Sequence, residues 1–173
     1  MTSQKRLKIF VITISAALVI CLVLKTQIRL VKLRDRAEKT YPTNIDCDDN
    51  TLSSIEDIAE YSKKATAEML TFAQHNDIPN GKANCVGYAQ YAAALCNKLF
   101  KRNNIDAKAK PVVGYYYFRN TNIHQVATKL LSNQQIINFI KDHDYVEIVN
   151  SVNEVVYSFD PSIYDLTYLD FHE

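Results

Sequence analysis

From Ile9 to Leu24 the chain is apolar except for Thr13 and Ser15, and basic residues flank this run on both sides: Lys5, Arg6 and Lys8 before it, Lys25 and Arg29 after it. Its sixteen residues are fewer than the roughly 20 that span a bilayer core, but lysines at either end can snorkel. The run has no polar face, unlike the amphipathic helix of a soluble domain. No small-residue cleavage pattern follows it, and Val19-Ile20 before Cys21 is a poor lipidation motif, so the pattern predicts an uncleaved single-pass membrane anchor. The charged stretch from Gln27 to Lys39 is helix-compatible and predicts a stalk continuing that helix until Pro42 breaks it. Two orientations stay open. The basic residues are denser after the run, which would keep the domain cytoplasmic. A short basic tail before one apolar run also tethers exported domains, and the extracytoplasmic side is favoured.

Beyond the stalk the period changes. Ser53 or Ser54 can cap a helix through Phe72, with Ile55, Ile58, Ala59, Ala65, Met69 and Phe72 as its apolar stripe. Asn76-Asp77-Ile78-Pro79-Asn80-Gly81 reads as a loop. Asn84 then caps an Ala-rich helix running to Leu99. A strand is expected from Ala107 to Phe118 and a helical stretch from Thr121 to Ile140. Two β-branched and aromatic runs follow, His143–Val149 and Val155–Phe159, joined by a short polar link that predicts a hairpin. The elements therefore predict an α+β domain over 41–173, with a Cys-bearing helix packed on a small antiparallel sheet, preceded by an anchor and stalk over 1–40.

Composition narrows the function classes. At 173 residues there is room for one globular domain beyond the apolar run. A net charge of +1 offers no argument for nucleic acid. The four cysteines lack a paired short spacing, so neither a zinc site nor a disulfide scaffold is expected. The acidic cluster Asp46, Asp48 and Asp49 lacks the glycine and distal glutamate of a calcium loop. No cofactor and no metal are implied.

The candidate chemistry centres on Cys85, at the first position of the Ala-rich helix. There, unpaired backbone amides and the positive end of the helix dipole favour the thiolate. Most free cysteines are small core residues, and that reading competes for Cys85. It fits Cys96, about three helical turns on, among Ala92, Ala93, Leu99 and Phe100. If Ser151 and Val152 form a two-residue loop, His143 falls directly opposite Asp160, close enough for a carboxylate to hold an imidazole. The same register pairs Val146 with Tyr157 and Ile148 with Val155. Ser-Val is poor chemistry for such a turn, and a four-residue loop preserving the faces is an alternative. His124 competes as a base but has no carboxylate-bearing strand partner, and His75 and His172 look like loop or terminal residues.

These residues resemble the transglutaminase-like branch of the papain-like cysteine enzymes. The resemblance rests on Cys85 with Gly87, Tyr88 and Ala89; on Val112-Val113-Gly114-Tyr115; on His143-Asp144-Tyr145-Val146-Glu147; and on Phe159-Asp160-Pro161-Ser162. The chain departs from that pattern in having no tryptophan and in inserting Thr121–Ile140. The resemblance implies a Cys-His-Asp triad acting on the amide bonds of a peptide or protein: Cys85 as nucleophile, His143 as base and Asp160 as its orienter. The Cys85 amide would meet the oxyanion with a side chain from the preceding loop, Asn80 or Gln74. The alternative is a non-catalytic binding or scaffold module of the same fold, tethered to the membrane.

Overall fold

The computed structural model describes residues 28–41, 52–130 and 142–167. Its main sheet is antiparallel, in the order β1-β4-β6-β7: β1 is Ile28–Asp35, β4 Ala107–Phe118, β6 His143–Asn150 and β7 Val155–Phe159. A two-residue strand β5, Thr121–Asn122, folds back on β4 and leads into α3, Ile123–Leu130. Two longer helices, α1 (Ile55–Met69) and α2 (Cys85–Arg102), pack together, and α2 lies against β4 and β6. Between them β2 (Thr71–Phe72) pairs in parallel with β3 (Lys82–Ala83) around a 3-10 turn at Ile78–Asn80. A last helix, α4 (Pro161–Thr167), follows β7 and returns to α1 and α2.

The main core forms where the small residues of α2 meet the sheet. Ala89, Ala92, Ala93, Cys96, Leu99 and Phe100 pack with Ile58 and Ala59 of α1, Val146 and Ile148 of β6, and Phe159 of β7. Alanines on α2 let the helix sit close to the strands, and Cys96, fully buried there, acts as a small hydrophobe. Helix α1 begins at Ser54, whose side chain accepts from the Asp57 amide while the Asp57 carboxylate returns a bond to the Ser54 amide. It ends at Met69, which is exposed, and the Phe72 expected on its stripe lies in β2 instead.

The expected transmembrane helix with its helical stalk is corrected. Among the described residues no helix is long and apolar enough to cross a membrane. Residues 28–35, read as stalk, form strand β1 on the edge of the sheet, with Ile28 opposite Phe118 and Lys32 opposite Gly114. Helix-compatible residues adopt a strand here because β4 offers a row of backbone donors and acceptors with which a neighbouring strand can pair along its length. Tertiary pairing overrides local propensity. The apolar run Ile9–Leu24 lies outside the described residues, as do Cys21, Cys47, His172 and the far half of the Thr121–Ile140 stretch.

The hairpin keeps the expected faces but not the expected register. Val146 lies opposite Phe159 and Ile148 opposite Tyr157, a displacement of two residues on β7 from the expected pairs. The turn is longer than two residues. Asn150 closes it on Glu154, its side chain accepts from the amides of Val152 and Glu154, and Asn153 takes the left-handed conformation at φ 61°. An irregularity beyond Val149 and Val155 completes the displacement. With Phe159 opposite Val146, Asp160 no longer falls opposite His143 on the β7 side; on the other side of β6, His143 lies opposite Gly114 of β4.

Candidate active site

Helix α2 places Cys85 by a local mechanism. The Asn84 side chain accepts from the amides of Val86 and Gly87, satisfying two of the free donors at the helix start. The loop before it is tied in from behind. Asn76 accepts from the Asn84 amide at 2.9 Å, and a Cβ on Gly87 would come within 2.3 Å of the same Asn76 oxygen. A glycine at 87 is thus what lets the loop side chain rest on the first turn of the helix.

Strand β6 brings two polar residues to its beginning. His143 and Asp144 are both buried, at 1% and 2% exposure. Asp160, where the chain leaves β7, reaches across the end of the sheet, and its Oδ2 accepts from His143 Nε2 at 2.8 Å. The same carboxylate caps α4. Its Oδ1 accepts from the amides of Ser162 and Ile163 and from the Ser162 hydroxyl, while Tyr116 of β4 donates its hydroxyl to Oδ2. Ser162 Oγ also lies 3.0 Å from His143 Nε2, and the Tyr116 ring packs against the imidazole with centroids 5.5 Å apart. Burial would raise the Asp160 carboxyl, but the charge His143 carries when protonated and hydrogen bonds from His143, Tyr116 and the Ile163 amide outweigh it, so it ends below its ordinary value. Asp160 is built to stay ionised while fully buried.

The Cys85 thiol, half-buried at the start of α2, meets the Asp144 carboxylate, to which it donates at 3.9 Å. Asp144 in turn is gripped by Arg36, just past β1, with Nε at 2.6 Å from Oδ1 and Nη2 at 2.9 Å from Oδ2. That bidentate bond is the main reason the guanidinium holds its proton more tightly than usual. The thiol is not lowered by its helix position. Burial pushes it up to about 11; the amides of Asp144 and Val86 pull it down, but the charges of Asp144 and Asp160 add to the rise. Desolvation and two carboxylates outweigh the helix terminus. Cys85 at rest is a thiol.

The oxyanion candidates are not brought to the sulfur by any contact of their side chains. Asn80 is exposed, and its amide donates to Asp77 at 2.9 Å. Gln74 is also exposed, and only its backbone carbonyl reaches the site's frame, accepting from the Asn84 amide group at 3.5 Å. His124 sits at the start of α3, where its backbone amide donates to the Asn122 side chain. Arg36, Asp144, Tyr116 and Ser162 escaped the sequence reading. Asp144 and Ser162 lay within motifs already singled out, but alternation along a strand gives no cue that the neighbour of His143 touches the thiol. Arg36 carried no local signal, because its partner is more than one hundred residues away.

Among the described residues no cluster of His, Cys, Asp and Glu could hold a metal ion. The arrangement can do proton-transfer and nucleophilic chemistry: a thiol at a helix start, and an imidazole on an adjacent strand whose Nε2 is committed to a buried carboxylate. Compared with known proteins, the chain matches no family model, no curated protein and no solved structure.

Proposed function

We propose that the protein is a cysteine acyl-transfer enzyme of transglutaminase-like type, acting on amide bonds of peptides or proteins. The observation that carries this reading is the buried His143–Asp160 pair, closed at 2.8 Å and braced by Tyr116 and Ser162. Such a pair, next in sequence to the residue that touches the Cys85 thiol, is what a nucleophilic cysteine needs to lose its proton. With Nε2 held by Asp160, proton exchange falls to Nδ1. Cys85 Sγ bonds to the amide carbonyl carbon as its proton passes to His143. The C–N bond then breaks as His143 returns that proton to the departing amine, leaving a thioester. Water attacking the thioester gives hydrolysis, and an amine gives transfer; either restores the thiol. Because the resting thiol is protonated, deprotonation belongs to the attack step, with His143 as general base.

A second reading, a non-catalytic binding module, is favoured by one observation: the thiol's carboxylate neighbour and its rise to about 11 oppose activation. The two are separated by incubating the full-length chain with fluorogenic acyl-amide peptides, with and without an amine acceptor. The enzyme reading expects turnover that disappears in Cys85→Ala and His143→Ala, and falls by about 10²–10⁴ in Asp160→Asn, which leaves the imidazole present but misoriented. Turnover undiminished in Cys85→Ala, or no turnover by the native chain across a peptide library, overturns it.

A further inference from the structure

The triad reading makes no use of the Arg36–Asp144 pair, yet its carboxylate accepts from the Cys85 thiol at 3.9 Å. Resting on the reading of Cys85 as nucleophile, we propose that Arg36 is a positioning residue for it. Arg36 holds the Asp144 carboxylate against the thiol and offsets part of its charge, so that the docking of β1 onto β4 completes the site. The geometry is a chain of three groups: Cys85 Sγ to Asp144 Oδ2 at 3.9 Å, and both oxygens of that carboxylate bound by one guanidinium at 2.6 and 2.9 Å. Each group comes from a different element, the helix start, the strand β6 and the segment leaving β1. Arg36 is fixed by its backbone as well, its amide donating to the Pro111 carbonyl at 3.0 Å.

The carboxylate has two effects on the sulfur. It accepts from the thiol, which orients S–H, and its charge opposes the thiolate. An uncompensated carboxylate at that distance, in a partly desolvated site, would suppress ionisation by orders of magnitude. The guanidinium offsets part of this penalty while keeping the acceptor in place. Two other ionisable groups act on the same centre, Tyr116 on β4 and Asp160 before α4, and Asp160 is itself paired with His143 on β6. Asp142, preceding β6, acts on Arg36. Of these, Arg36 alone is a permanent cation.

The test is the rate of Cys85 carbamidomethylation by iodoacetamide between pH 7 and 10 in the full-length chain, read by mass spectrometry of the peptide carrying Cys85. Arg36→Met should slow labelling at pH 8 by about tenfold or more, Asp144→Asn should quicken it by about tenfold, and the double variant should return to within about threefold of native. Arg36→Lys, which keeps the charge, should stay close to native. A pair that merely braces the structure would instead expose the thiol when broken, so both single variants would label faster. Equal or faster labelling in Arg36→Met, or slower labelling in Asp144→Asn, overturns the proposal. Should Arg36→Met fail to fold, which labelling of the buried Cys96 reveals, the pH profile of Asp144→Asn decides: relief of the carboxylate charge gives a quickening that shrinks as pH rises towards 10, and a quickening by the same factor at every pH, as exposure alone produces, overturns the proposal. The acyl-transfer reading stands apart from this outcome. If it is wrong, amide turnover is absent while the labelling pattern holds; if only the role of Arg36 is wrong, turnover persists with a flat labelling series.

Discussion

Gly114 is the residue where the edge strand, the sheet centre and the site meet, and replacing it with alanine tests all three. It lies opposite Lys32 of β1 on one side and His143 of β6 on the other. A Cβ at this position would stand 2.6 Å from the Val31 carbonyl oxygen and 2.7 Å from Cε1 of Tyr145. Neither neighbour can yield cheaply, since one is backbone in a paired strand and the other a ring buried to 2% exposure. Overpacking of this kind costs about 1–3 kcal/mol. Loosening the β1 pairing at Val31 adds roughly 1 kcal/mol, while the reduced backbone freedom of alanine returns about 0.5–1 kcal/mol. The net loss is about 2 kcal/mol, which for a chain of this size lowers Tm by about 4–8 °C. In a urea titration it moves the midpoint down by about 1 M. Leu33→Ser, an exposed change in the same strand where the pairing is irregular, serves as control and should stay within about 0.5 kcal/mol. If Gly114→Ala leaves the midpoint unchanged or raises it, β1 does not lie against β4 as described, and the support of Arg36 goes with it.

Three further outcomes follow from single contacts. Asn84→Ala removes the acceptor for the Val86 and Gly87 amides and should cost about 1 kcal/mol in chemical denaturation; a stability equal to native would show that the helix start is held by other means. Ser62→Ala should leave stability within about 0.5 kcal/mol of native or raise it slightly, because the buried Ser62 Oγ meets only the weakly hydrogen-bonding Cys96 thiol and alanine is the better helix former. A loss of more than 1 kcal/mol would reveal a hidden partner. The Asp160 carboxyl is lower in the folded chain than its ordinary 3.8, so it contributes stability that is complete above that pH and fades as pH falls through the folded value. Unfolding free energies measured from pH 6 down to pH 2 should therefore fall less steeply in Asp160→Asn than in the native chain, and parallel curves would contradict the assignment.

Features set by near neighbours in the chain were legible without coordinates. Asn84 as a cap, Cys85 at the first helical position, β4 from Ala107 to Phe118 and Cys96 as core each depend on side chains a few residues apart, or on a hydrophobic period that one element carries by itself. The faces of the hairpin belong to this class too, because alternation survives a displacement of two residues. Its register does not: Asn153 in the left-handed region and the irregularity beyond Val149 decide it, and a two-residue turn count places Asp160 wrongly. Asp160 still reaches His143, since a side chain leaving the end of β7 spans the difference. What only the tertiary structure decided is the fate of residues 28–41. Their charged composition suits a helix in isolation, but the open edge of β4 supplies pairing that an isolated segment cannot have, and this carries Arg36 to Asp144. The protonation of Cys85 was decided in the same way. A helix start by itself favours the thiolate, and only burial beside Asp144 and Asp160, contributed by distant segments, reverses the sign.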